Sequence, residues 1–122
     1  MPDKFEAMWE QQKKFMLLLQ DKRDFPAFPV DITSKSGQQF LDGIVYHAIK
    51  ELIESSNHLK NSKSHRITEL KDVDMEAYKE ELADVYHLLN EVCIASGISS
   101  DELYEAYMKK GEKNVERIKN GY

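Results

Sequence analysis

Two acidic pairs are the residues of this chain whose types and spacing could do chemistry. Glu51 and Glu54 stand three apart, and so do Glu81 and Asp84. On a helix that interval puts side chains one turn apart on the same side. At about 100° per residue, each pair falls beside its helix's apolar stripe, not opposite it. Two such pairs on packed helices would bring four carboxylates into one partly dry pocket, where like charges repel unless a cation neutralises them. Oxygen-only donors suit a hard ion, Mg²⁺ or Mn²⁺, which also recruits substrate phosphates. Glutamates at this interval line ordinary solvated faces as well, and Lys50, Lys79 and Glu80 belong to such a face here. Spacing by itself does not choose between the two.

The carboxyl end carries a second constellation. From Lys109 onward, Lys109, Lys110, Lys113, Arg117 and Lys119 face only Glu112 and Glu116, a local excess of three positive charges. Lys110, Asn114 and Arg117 recur at four and three, so one helical side presents two cations and an amide, suitable donors for phosphate oxygens. Basic residues also complement the dipole of a helix's last turns without binding anything. The histidines are open to two readings. His47 lies four before Glu51 and His87 three after Asp84, so each could serve a carboxylate or simply pack. His58 and His65 fall at a polar loop and are read as solvated. No Cys/His metal signature, glycine-rich phosphate loop or nucleophilic Ser/Cys arrangement is present.

Four helical stretches must position these residues. The first is predicted from Asp3 to Gln20, with Asp3 as N-cap and Glu6 as its capping-box partner. Phe25-Pro-Ala-Phe-Pro29 ends it, since proline lacks the amide donor. A Ser34–Gly37 segment leads into a second helix from Gln38 to Lys60, with Leu41, Ile44, Val45, Ala48, Leu52 and Leu59 as its stripe. Asn61 to Asp72 reads as a polar loop. A third helix, Asp74 to Ser96, carries Met75, Tyr78, Leu82, Val85, Leu89 and Val92 on one face, nearly a coiled-coil seam suited to antiparallel packing on the second. Gly97 closes it, and Ser99 with Glu102 forms a capping box for a fourth helix to Lys119. The predicted fold is all-α, a four-helix bundle forming one domain over residues 1–122.

Composition narrows the function classes. The 122 residues carry a net charge of −5, with 41% hydrophobic and 32% charged residues. A net acidic chain lacks the basic footprint that nucleic acid or an anionic membrane surface requires. No apolar run approaches the roughly 20 residues that span a bilayer. Asp3, Glu6 and Glu10 break any signal-peptide pattern. Cys93 alone cannot form an internal disulfide or a cysteine-based zinc site. A soluble cytoplasmic protein is expected.

At these residues the sequence resembles the all-α nucleoside triphosphate pyrophosphohydrolases, the superfamily of MazG and the dimeric dUTPases. Their signature is EExxE on one helix and ExxD on the next; here it reads Lys50-Glu51-Leu-Ile-Glu54 and Glu81-Leu-Ala-Asp84. Lys50 stands where the MazG form has its first Glu, a departure that points to the branch of dimeric dUTPases and phage dCTP/dUTP pyrophosphatases. Glu81-Leu-Ala-Asp-Val-Tyr-His-Leu-Leu89 is similar to that branch's ExxDxxHFL segment, His87 included. The ending resembles its KNxxNxxRQDxGY close at Lys110, Asn114, Arg117, Gly121 and Tyr122, with Ile118 and Lys119 replacing Gln-Asp. Gln12 and Phe15 resemble an early Q-x-x-L element. The likeness covers Asp42 to Tyr122, and the ordered combination is far more specific than any one motif.

The resemblance implies Mg²⁺-dependent (or Mn²⁺-dependent) hydrolysis of a deoxynucleoside triphosphate, dUTP first and dCTP second, to the monophosphate and pyrophosphate. It implies that Glu51, Glu54, Glu81 and Asp84 hold the metal, with Glu54 and then Glu51 assigned to the attacking water. Lys110, Asn114 and Arg117 would bind the phosphate chain, with His87 near a phosphate and Gln12 at the base. It further implies a homodimer or higher homo-oligomer, in line with apolar residues Met8, Phe15, Leu18 and Leu19 left over on the first helix. The dUTPase branch often carries a tryptophan-containing segment where Asn61 to Asp72 has none, so base preference is not written in the shared motifs. Two other readings stand beside this one: a MazG-like house-cleaning enzyme of broader or modified-nucleotide specificity, and a non-enzymatic helical interaction module.

Overall fold

Asp3 opens the first helix by accepting hydrogen bonds from the amides of Phe5 and Glu6 at its side chain. The computed structural model describes residues 3–62, 65 and 72–121. Its four helices are α1 (Lys4–Lys22), α2 (Lys35–Ser56), α3 (Met75–Ala95) and α4 (Ser100–Lys119), with no strand among the described residues. The fold class is all-α, as predicted. Most of the Asn61–Asp72 loop, and Tyr122, lie outside the described residues. No described helix is long and apolar enough to cross a membrane.

Local chemistry explains where the helices start and stop. Ser99 and Glu102 form the predicted capping box, each side chain taking the other's backbone amide. At α1 the box is not closed as expected: the Glu6 carboxylate accepts from the Ser100 hydroxyl, tying the first turn of α4 to α1. The second helix begins three residues before Gln38, because Ser34 caps it by accepting from the Gly37 amide at 2.9 Å. Gly37 thus sits inside the first turn, where an added Cβ would meet the Asp31 carbonyl oxygen at 2.0 Å. That helix also ends short of Lys60. Ser55 and Ser56 donate their hydroxyls to the Leu52 and Ile53 carbonyls at 2.5 and 2.7 Å, competing with the continuing backbone ladder. Gly97 takes φ +81° just past α3, a conformation side chains resist, and Pro29 packs against it.

The chain folds as two compact units, Met1–Val30 with Cys93–Tyr122, and Asp31–Val92. In the first, α1 packs on α4 and buries Trp9, Gln12 and Met16, spaced at three and four. Ile94 and Ala95 are also buried there, and the Phe5 ring tilts against Trp9 at 5.7 Å. Cys93 is half-buried, in keeping with a small packing residue, and burial pushes its thiol up. Met8, Phe15 and Leu18 remain exposed.

In the second unit, α2 buries Leu41, Ile44 and Ala48, and α3 buries Val85 and Asn90. The predicted stripes were wider: Val45, Leu52, Leu59, Met75 and Leu89 are exposed. Contacts across the pair run in opposite senses. His58 lies beside Tyr78 with ring centroids 6.1 Å apart, Glu51 meets Glu81 and Asp84, and His47 acts on Glu91. As numbers rise along α2 they fall along α3, so the two helices are antiparallel.

Met16 is fully buried, so Met16→Ala should lower the unfolding free energy by about 2–5 kcal/mol in urea denaturation. Ser99→Ala removes one half of the α4 capping box and should cost about 1 kcal/mol.

Candidate metal and active site

The antiparallel pairing of α2 and α3 delivers part of the predicted carboxylate cluster to one place. Glu51, Glu81 and Asp84 each offer an oxygen, and these three atoms lie within 4.8 Å of one another. Glu51 and Glu81 are half-buried and Asp84 is exposed, so the cluster sits at a rim between helix interior and solvent. Glu54, one turn beyond Glu51 and half-buried, is outside that trio, yet its charge is felt by Glu81.

Glu81 records the strain of this arrangement. Burial pushes its carboxyl above the usual range, and the charges of Glu51 and Glu54, a side-chain hydrogen bond with Glu51 and the charge of Asp84 push it further the same way. All of these favour a neutral Glu81, and positive charge at the same place would do the equivalent work. Three hard oxygen donors within reach of one another, with their mutual repulsion unrelieved, fit a divalent cation such as Mg²⁺ or Mn²⁺.

The remaining predicted residues fall in both units. His87 is exposed on α3, one turn after Asp84. Lys110, Asn114 and Arg117 belong to the other unit, all exposed on one side of α4, a helix that buries none of its residues. Gln12 is buried on α1, at 2% exposure. No buried side-chain nitrogen or oxygen among the described residues lacks a hydrogen-bond partner, so Gln12 is satisfied where it stands.

Sequence spacing did not single out Glu91. It is half-buried on α3, and burial raises its carboxyl while His47 draws it back down. The signal was present, since Glu91 lies seven residues after Asp84, on the same side of the helix.

Comparison with known proteins settles the lineage. The family model described as dUTPase matches residues 8–122, nearly the whole chain and both of its compact units. The chain belongs to the dUTPase family. That membership agrees with the superfamily that its motifs resemble. Over 57 residues it is 33% identical to the dCTP pyrophosphatase of Enterobacteria phage T4, covering 47% of this chain. That match spans 33% of the phage protein's length. No solved structure gives a significant match.

The electrostatics of this dUTPase-family cluster give a pH-dependent test. Glu81 holds its proton more tightly folded than unfolded, so the folded state binds more protons across that window. Stability therefore falls as pH rises from the ordinary carboxylate range through the raised value. Glu81→Gln should melt higher than the parent protein at pH 7.5 without metal, and the difference should shrink on acidification towards pH 4. Millimolar Mn²⁺ should raise the parent's melting temperature by several degrees at pH 7.5 and the variant's by much less.

Proposed function

We propose that this dUTPase-family chain hydrolyses a pyrimidine deoxynucleoside triphosphate to the monophosphate and pyrophosphate, with Mg²⁺ or Mn²⁺ as cofactor. The convergence of Glu51, Glu81 and Asp84 within 4.8 Å carries this reading. A divalent ion, when bound, supplies charge against the phosphate oxygens and makes water a better nucleophile. Glu51, Glu81 and Asp84 hold it, with Glu54 completing the set from the adjacent turn. Glu54, or Glu51 after it, orients the attacking water and takes its proton. Lys110, Asn114 and Arg117 grip the phosphate chain, a positioning and electrostatic role. His87 contacts a phosphate from the turn after Asp84, whereas Gln12, buried and hydrogen-bonded on α1, is not assigned to the base.

Two substrates are ranked by what supports them. The family description, dUTPase, spans residues 8–122 and favours dUTP. The partial likeness to a phage dCTP pyrophosphatase makes dCTP the second candidate.

The working form of this reading is a homo-oligomer, a homodimer at least. Tyr104, Met108, Gly111, Val115 and Ile118 recur along α4 at four, three, four and three, the spacing of a helix-pairing seam. The four large side chains of that seam are exposed, Ile118 at 73%. Lys110, Asn114 and Arg117 each precede a seam position by one residue, so pairing along the seam would also fix the phosphate-binding side.

Purified protein with Mg²⁺ should release pyrophosphate from dUTP or dCTP; no release from any canonical nucleotide, with Mg²⁺ or Mn²⁺, overturns the assignment. Glu81→Ala and Asp84→Ala should each lower kcat by about 100-fold or more while far-UV circular dichroism stays helical. Sedimentation velocity should give at least a dimer, which Val115→Glu or Ile118→Glu disperses.

A further inference from the structure

His47 stands one turn before Glu51 on α2 and contacts its carboxylate. Its Nε2 lies 3.3 Å from Glu51 Oε1, one helical turn away. The Glu51 side chain is only 18% exposed and the imidazole 58%, so the ring sits on the solvent side of that carboxylate. Across the pair, Glu91 is half-buried on α3, close enough for His47 to act on its charge. Lys79, the nearest lysine in sequence to Glu81, is turned instead to Glu76 at 3.2 Å.

A glutamate has three side-chain torsions, and three carboxylates drawn together repel, so Glu51 gains by swinging out to solvent. A group contacting the carboxylate from the solvent side opposes that motion. In metal sites, partners of this kind orient the ligands they touch and tune affinity. Neutral imidazole can do so by donating from Nε2, without adding charge against a cation.

We propose that His47 is a positioning residue that holds Glu51 in the carboxylate cluster. The inference rests on the reading of Glu51 as a metal ligand. Its signature is a loss of cation affinity that a neutral donor of similar reach repairs.

The test is titration of Mn²⁺ into the full-length protein without nucleotide, followed by the paramagnetic resonance of free Mn²⁺. His47→Ala should weaken Mn²⁺ binding by about tenfold. His47→Gln, which keeps a donor, should recover most of that loss. In turnover assays the His47→Ala defect should appear in the Mn²⁺ concentration required and vanish at saturating metal, leaving kcat near the parent value. A structural role alone would lower the melting temperature without this split. Unchanged or tighter Mn²⁺ binding in His47→Ala overturns the inference while leaving the metal site standing. Equal weakening by His47→Ala and His47→Gln overturns it too. Failure of the parent protein to bind Mn²⁺ removes the site itself, and the role of His47 with it.

Discussion

Repulsion among three carboxylates is the constraint around which this chain is arranged. Glu51, Glu81 and Asp84 place oxygens within 4.8 Å of one another, and the half-buried position of two of them denies full hydration. Such a group does not assemble for its own stability. It is held by the antiparallel pairing of α2 and α3, by the burial of Leu41, Ile44 and Ala48 on α2 and Val85 on α3, and by the Ser34 cap that fixes where α2 begins. The Glu81 carboxyl is raised by burial first, and then by the charges of Glu51, Glu54 and Asp84 and a hydrogen bond with Glu51. A site that keeps this unrelieved field is organised for positive charge to arrive.

The field also resolves an apparent conflict in charge. A chain of net −5 is a poor partner for a polyanion. The acidity is not spread evenly, however. Part is concentrated where a cation would be held, and the end of the chain carries the opposite sign on α4. None of the α4 residues is buried, so these cations lie at the protein surface.

Much of this was legible in the sequence, for reasons tied to range. Asp3, Ser99 with Glu102, and Gly97 are signals whose partners lie within a few residues, and the structure has each where it was read. The intervals in Glu51-Leu-Ile-Glu54 and Glu81-Leu-Ala-Asp84 fix which side of a helix each acid occupies, because helical geometry is nearly invariant. What one-dimensional spacing cannot encode is the register between helices. It made Glu51 and Glu54 equivalent, whereas α3 approaches Glu51 more closely. It passed over Glu91, whose significance comes only from His47 opposite. The capping box assigned to Glu6 failed for the same reason: Ser100, far along the chain, competes for its carboxylate. The stripes of α2 and α3 were overdrawn because hydrophobicity marks what can be buried, not what a single neighbouring helix covers.

That last mismatch bears on how the site is sustained. Among the described residues eight hydrophobic side chains are buried, while Tyr46, Ile49, Leu52 and Ile53 on α2 and the α4 seam stay exposed. A core this small gives little reserve against the cost of a carboxylate cluster. Two kinds of binding can supply the reserve, since anything that binds only the folded chain stabilises it. A second copy covering the apolar faces does so through burial, and a cation at Glu51, Glu81 and Asp84 does so by cancelling repulsion. Both would act on the same folded state, each adding to the stability against which the cost of the cluster is set.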